Sequence, residues 1–461
     1  MNLVLACILA YVVSQLVVAA WFARRVRSET DYLLAGRSLG PWLGTFSVFA
    51  TWYGAETCIG AAGEAYASGM SGVLADPFGY TLGMVAFGLF FAAGLWRRGL
   101  VTLADLFRPR WGVGVERLAA LIMIPSSVMW AAAQIRAFGQ ILASVSEVGL
   151  LVAITLAALV VILYTAIGGM WADAVTDLVQ GVVLIAGVLV LFGVFIALGG
   201  AEQLAAQPTT RLDPTHGRST LDALETLAIP IFSTIAAQEL ASRALSMRGA
   251  RLAARATVGA GALYLVLGLL PMMVGLGAGA FIGDDQESEQ VLSLFAQQYL
   301  PMPLYVLFLG ALVSAILSTL SGALLVAGSL LAHNVVAPLF PRVRESGRVR
   351  LDRAAVVLFG VLAYAIALTS ESIYALVQES SALGTAGILV LLVFGLWLPR
   401  VGARPSAYAA LVVGTLSYLI GAHVLELEAP YLLSLGLALA AYLLAVPFSR
   451  EPQTPPAADP C

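Results

Sequence analysis

Phe46-Ser47-Val48-Phe49-Ala50-Thr51-Trp52-Tyr53-Gly54-Ala55-Glu56-Thr57-Cys58-Ile59-Gly60 decides how the rest of the chain is read. The stretch lies inside an apolar segment, 41–67, long enough to cross a bilayer. Its centre nevertheless holds a Trp, a Tyr, a Gly and a carboxylate. A buried acid at membrane depth is costly and usually faces a partner, a cavity or a ligand. Gly54 and Gly60 flank Glu56 and weaken the helix on both sides. Unwound backbone is tolerated at that depth only where protein or a water-filled cavity covers it. Broken helices of this kind expose carbonyls that can hold a cation near the bilayer midplane. The stretch therefore reads as a binding site; the plainer alternative is a glycine-kinked packing helix with one acid in an internal pair.

The surroundings fit a membrane. The 461 residues are 60% hydrophobic and only 11% charged, which excludes an ordinary soluble domain. Thirteen apolar segments follow one another, at 2–23, 41–67, 73–96, 113–145, 149–167, 171–199, 221–243, 253–282, 302–337, 353–370, 373–398, 403–422 and 429–448. The first has no basic residue before it and Arg24, Arg25 and Arg27 after it, the reverse of a secretory signal. It reads as a retained span with its N-terminus outside. All basic residues are Arg, and 21 of the 24, Arg243 among them, fall on the side this places in the cytoplasm. The opposite loops carry Glu147, Asp284, Asp285, Glu287, Glu289, Glu426 and Glu428. The expectation is a multi-pass protein of the cell (inner) membrane with a cytoplasmic C-terminus, ending in a disordered Pro-rich tail, 449–461. Cys7, Cys58 and Cys461 have no metal-site or disulfide spacing.

Spans two to six (41–199) and seven to eleven (221–398) are five helices each. An odd number per set gives the two sets opposite orientations, the arithmetic of an inverted repeat. The segment 2–40 and the two helices in 403–448 then lie outside that core. If the repeat holds, the first helix of the second set should be broken like that of the first. Ile229-Pro230-Ile231-Phe232-Ser233-Thr234-Ile235-Ala236-Ala237-Gln238-Glu239 qualifies, with a Pro, a hydroxyl pair and two polar residues. Elsewhere, Trp130 and Gln134 share one helix face, and Asp76 precedes Tyr80 in span three. Asp173, Asp177 and Gln180 recur at i, i+4 and i+7, a polar stripe on an apolar helix. Ser314, Ser318 and Ser321 share a face, with Thr319 beside them. Such hydroxyls often mediate close packing, but hard cations also favour oxygen ligands.

Gly168-Gly169-Met170-Trp171-Ala172-Asp173-Ala174-Val175-Thr176-Asp177-Leu178-Val179-Gln180 resembles the hallmark segment of the sodium/solute symporter family. Ser318-Thr319-Leu320-Ser321 resembles that family's eighth core helix, and 45–66, 79–106 and 129–139 are similar to its high-affinity choline transporter branch. The resemblance covers about 30–400. It implies an all-α membrane protein of thirteen transmembrane helices with a 5+5 inverted-repeat core of the leucine-transporter type. It also implies Na+-driven import by alternating access. By position, one Na+ would be held by the carbonyls of Ala50, Tyr53 and Ala315 and the hydroxyls of Ser318 and Thr319. Asp177 and Ser321 match a second Na+ site of some relatives, but Gly322 stands where that site has another Ser. For the substrate, the resemblance puts Trp52, Tyr80 and Trp130 in an aromatic cage for a quaternary ammonium, with Gln238 shared. Ala237 and Val377 stand where two further aromatics would be. Glu56, Thr57 and Gln134 complete the expected substrate set, and Glu56 and Glu239 are acidic additions. The expected solute is an amine, a quaternary ammonium or a zwitterion. An amino acid, a carboxylate or a sugar is the alternative. A substrate-sensing receptor on the same fold is the reading from another class; such receptors carry kinase modules, and only thirteen residues follow position 448. An enzyme is not expected, since His216, His333 and His423 stand at no ligand spacing. The expected partners are the solute, Na+ and the lipid bilayer, not nucleic acid, with a monomer as the working assembly.

Overall fold

The computed structural model describes residues 3–146, 148–340, 342–370 and 372–448. The tail 449–461, expected to be disordered, lies outside the described residues. Those described are helical, with a single isolated bridge between Leu39 and Met247.

Among the described residues, ten helices are long and apolar enough to cross a membrane. The count is eleven when Ile373–Ala382 and Thr385–Leu396, bent by 41° at their junction, are taken as one broken span. The expected thirteen is not reproduced, because two helical runs continue past a one-residue interruption, at Asp76 and at Gly169, with no loop between their halves. Leu150–Ala197 runs 48 residues through Gly169, whose φ of 60° and ψ of −169° interrupt it where segments 149–167 and 171–199 were expected to part. Glu56–Arg97 runs 42 residues. One crossing takes about 20 residues, so each of these is long enough for two.

Both expected breaks are present. Pro41–Trp52 starts on a proline whose missing N–H costs nothing at a helix start. It ends at Tyr53 (φ −85°, ψ 76°), and the chain resumes through a wide turn, Glu56–Gly60, into Ala61–Ser68. In the second set, Thr220–Ala236 stops at Ala237 (φ −74°, ψ 128°) and Gln238–Leu245 follows. The centre of the bundle is Met302–Leu339, with 72% of its most apolar window buried, against 28% for Leu3–Arg25 and 22% for Pro430–Phe448. It packs against Leu150–Ala197 and Val113–Ser144.

A polar cluster ties one end of the bundle together. Ser28 caps Glu29–Leu34. The Glu29 carboxylate meets His333 Nδ1 at 2.7 Å and Arg348 Nη1 at 3.0 Å. His333 Nε2 lies 3.3 Å from Asp105 Oδ1, and Asn334 donates to both Asp105 and Glu116 at 2.8 Å. Burial alone would raise the Asp105 carboxyl, but His333 and the N–H groups of Thr102 and Val101 outweigh it and hold it down at about 2. Glu29 is likewise lowered: burial opposes, and His333 and Arg348 prevail.

Candidate functional site

The first break frees backbone oxygens. The Gly54 N–H turns back to Trp52 O at 3.1 Å, so it does not close a helical bond to Ala50. The Ala55 N–H is taken by Gln134 Oε1 at 3.0 Å. Ala50 O instead accepts from Thr319 Oγ1 at 3.3 Å. The first broken helix thus meets the central helix through a carbonyl and a hydroxyl, and Ser318 and Ala315 are buried beside them. This all-oxygen set suits a hard monovalent cation. A side chain at Gly54 would not fit: a Cβ there would lie 2.9 Å from Thr319 Oγ1 and 2.5 Å from Glu56 Oε2.

Next to it lies a charged layer. Asp177 takes hydrogen bonds from Ser47 at 2.7 Å and Ser318 at 2.5 Å. Asp173 takes them from Ser321 and from the Arg243 guanidinium. Asp177 and Ser321, grouped by resemblance, therefore belong to neighbouring networks. Arg243, counted with the cytoplasmic arginines, is fully buried here, and its Nε donates to Thr51 at 3.0 Å. Gly322 makes room for it: a Cβ there would meet Arg243 Nη2 at 2.7 Å.

The second break and the first face one cavity. Trp52, Tyr80 and Trp130 form its aromatic wall, with the Trp rings 5.3 Å apart and 69° from coplanar. Gln238, Glu239 and several hydroxyls form the other wall. Glu56, Thr57 and Gln134 stand one layer behind. Trp130 Nε1 donates to Glu56 Oε1 at 3.1 Å, and Gln134 Nε2 donates to Glu56 Oε2 at 2.7 Å. Thr57 bonds Asp76 at 2.9 Å and Tyr264 at 2.7 Å. Gln238 spends its carbonyl on the Leu103 N–H. Val377 is buried off the cavity, while Ala237 lines it. Sequence reasoning missed Ser126, Ser127, Ser380, Ser381 and Thr385. The signal was available: two serine pairs in apolar spans, one beside Pro125 and one just before the bend at Gly384.

Two helices broken at matching places, facing one buried cavity and one oxygen-lined niche, define a membrane transporter. The fold agrees. The chain superposes on the substrate-bound outward-open state of a Na+-coupled sialic acid symporter with a TM-score of 0.85 at 17% identity, covering 98% of this chain and 100% of that one. It also matches MhsT in complex with L-phenylalanine, with a TM-score of 0.59 at 14% identity, over 88% and 98%. This is the 5+5 inverted-repeat core of the leucine-transporter type. The chain belongs to the sodium:solute symporter family, whose model matches residues 32–414. It is 26% identical to the high-affinity choline transporter 1 of Caenorhabditis elegans over 90% of this chain and 77% of that protein. It is 26% identical to the human one over 88% and 77%. It is also 26% identical to sodium/proline symporter 2 of Staphylococcus saprophyticus over 85% and 80%. The protein is a Na+-coupled symporter of a small organic solute and not an enzyme.

Proposed function

We propose that the chain imports a small organic cation or zwitterion of the amine class with Na+, by alternating access across the cell (inner) membrane. The observation that carries this is the cavity wall: three aromatic faces and Glu239, with no Lys, Arg or His among the lining residues. An ammonium in such a site gains cation–π contacts and a carboxylate partner. The similarity to choline transporters supports the same class. The similarity to a sodium/proline symporter supports an amino acid as the second reading.

In this reading Ala50, Tyr53, Ala315, Ser318 and Thr319 hold the Na+. One Na+ moves per cycle, because Arg243 already supplies a cation beside Asp173 where Gly322 offers no hydroxyl. The repeats are 41–199 and 221–398, carried by a monomer with its N-terminus outside and its C-terminus in the cytoplasm. The test is a thermal-shift screen of the purified protein against amines, betaines, amino acids, sugars and carboxylates, each with and without Na+. Na+-dependent stabilisation by amines is expected; stabilisation by sugars or carboxylates alone would overturn the reading.

A further inference from the structure

The polar lining of the cavity is rich in acceptors and short of donors. Ser126 donates its only hydroxyl proton to Ser380 O at 2.5 Å, and Ser233 donates to Pro230 O at 3.4 Å. Ser380 donates to Val377 O at 2.8 Å, and Thr385 to Ser381 O at 3.0 Å. Ser127 gives its proton to Glu239 Oε1. A hydroxyl has one hydrogen and two lone pairs, so each of these oxygens can now only accept. An ionised Glu239 carboxylate likewise only accepts. On the other side, the Trp130 N–H is already spent on Glu56. The donors left on the wall are fewer: the Trp52 Nε1–H and the Thr234 hydroxyl, both buried without a partner, the Gln238 amide, and one proton of the Tyr80–Ser381 hydroxyl pair, whose mutual hydrogen bond at 2.9 Å uses only the other.

A ligand that fills this cavity must therefore bring hydrogens. Resting on the amine reading above, we infer that the substrate nitrogen carries N–H bonds: it is a primary or secondary ammonium, not a quaternary one. Its N–H groups run to Glu239 and the hydroxyl oxygens. Its carbon flank lies on Trp52, Tyr80 and Trp130. The unspent Trp52 N–H suits an acceptor oxygen elsewhere on the same molecule, so a short oxygen-bearing amine fits the whole wall. A quaternary ammonium satisfies the aromatic faces but brings no hydrogens to the acceptors, and such losses dominate discrimination at built polar sites.

The experiment measures affinity of the purified full-length protein, in saturating Na+ and without it, for ethanolamine, N-methylethanolamine, N,N-dimethylethanolamine and choline. Affinity is expected to fall along that series, by at least about tenfold from first to last, as N–H donors are removed. This arm needs no variant to fold. Glu239→Gln is expected to weaken ethanolamine by about tenfold or more and choline much less, flattening the series. Na+-dependent binding of choline as tight as that of ethanolamine would overturn the inference and leave the amine reading standing. A series that falls but keeps its slope in Glu239→Gln would overturn the role of Glu239. No Na+-dependent binding by any member would overturn the amine reading and this inference with it.

Discussion

Glu56 sits at the first helix break, and two roles for it are open from sequence: meeting the ligand, or holding the protein together. The geometry favours the second and sets a magnitude. Its two oxygens take one donor each, Trp130 Nε1 at 3.1 Å and Gln134 Nε2 at 2.7 Å. In Glu56→Gln one oxygen becomes an NH2. Whichever way the amide turns, one of those donors then faces a donor. The side chain is buried, so it cannot turn out to solvent to avoid that clash. A hydrogen bond to a charged group contributes about 1.5–3 kcal/mol, and stranding a buried donor costs about 1–3 kcal/mol. The substrate-free protein should therefore lose about 2 kcal/mol. At about 2–4 °C per kcal/mol for mid-sized domains, and less for longer chains, the melting temperature should fall by a few degrees. A swap sharpens the test. In Glu56→Gln/Gln134→Glu, the residue at 56 can donate to the new carboxylate and still accept from Trp130, while position 134 still accepts the Ala55 N–H. The double variant should recover most of the lost stability. Melting is followed by intrinsic fluorescence in detergent without substrate. An unchanged melting temperature in Glu56→Gln, together with a tenfold loss of amine affinity, would refute the reasoning and put Glu56 against the ligand.

Ser318→Ala and Thr319→Ala each remove an oxygen from the proposed Na+ niche; Na+ activation of uptake should weaken, and apparent solute affinity should fall with it because the two are linked. Unchanged Na+ activation in the double variant would move the ion elsewhere. Na+ activation of the wild type should have a Hill coefficient near one, and a value near two would mean that a second Na+ binds despite Arg243. Trp52→Ala should cost about thirtyfold in affinity for a cationic substrate, the worth of a desolvated cation–π contact of about 2 kcal/mol, and Trp52→Phe should keep part of it. Equal affinity in wild type and Trp52→Ala would remove the aromatic wall from the site.

Much of the fold was legible because membranes allow few solutions. Apolar length marks the helices, and a Gly or Pro beside polar residues in mid-span marks the breaks; both breaks, at Tyr53 and Ala237, lie where the pattern puts them. The span count is less plain: segments 149–167 and 171–199 part at Gly169 as expected, yet the helix resumes at once, with no loop to separate two spans. Trp52, Tyr80, Trp130 and Gln238 line the cavity, while Glu56, Thr57 and Gln134 stand behind it. Helical spacing tells which residues share a face but not the layer in which a side chain's hydrogen bonds end. The hydroxyl wall was hidden for a similar reason. A serine in an apolar span reads as packing until its donor is traced to a neighbouring carbonyl, as for Ser126 and Ser380.

Arg243 and Gly322 show what one-dimensional reading leaves out. Charge counting assigns Arg243 to a cytoplasmic loop, and ligand matching marks Gly322 as a missing hydroxyl. In three dimensions the two facts are one: the absent side chain at 322 is the space the guanidinium fills. The layer then holds two carboxylates, Asp173 and Asp177, and a single resident cation, which pairs with Asp173. Asp177 is held by two hydroxyls and has no basic group in contact among the described residues. A buried charge without its counterion is costly at membrane depth. With both carboxylates ionised, the layer is short of one positive charge. Ser318 belongs both to the proposed Na+ niche and to the Asp177 network, so a single Na+ in that niche meets the deficit through a shared ligand. A second Na+ would leave the layer with an excess positive charge, which is the electrostatic reason to expect one ion per cycle.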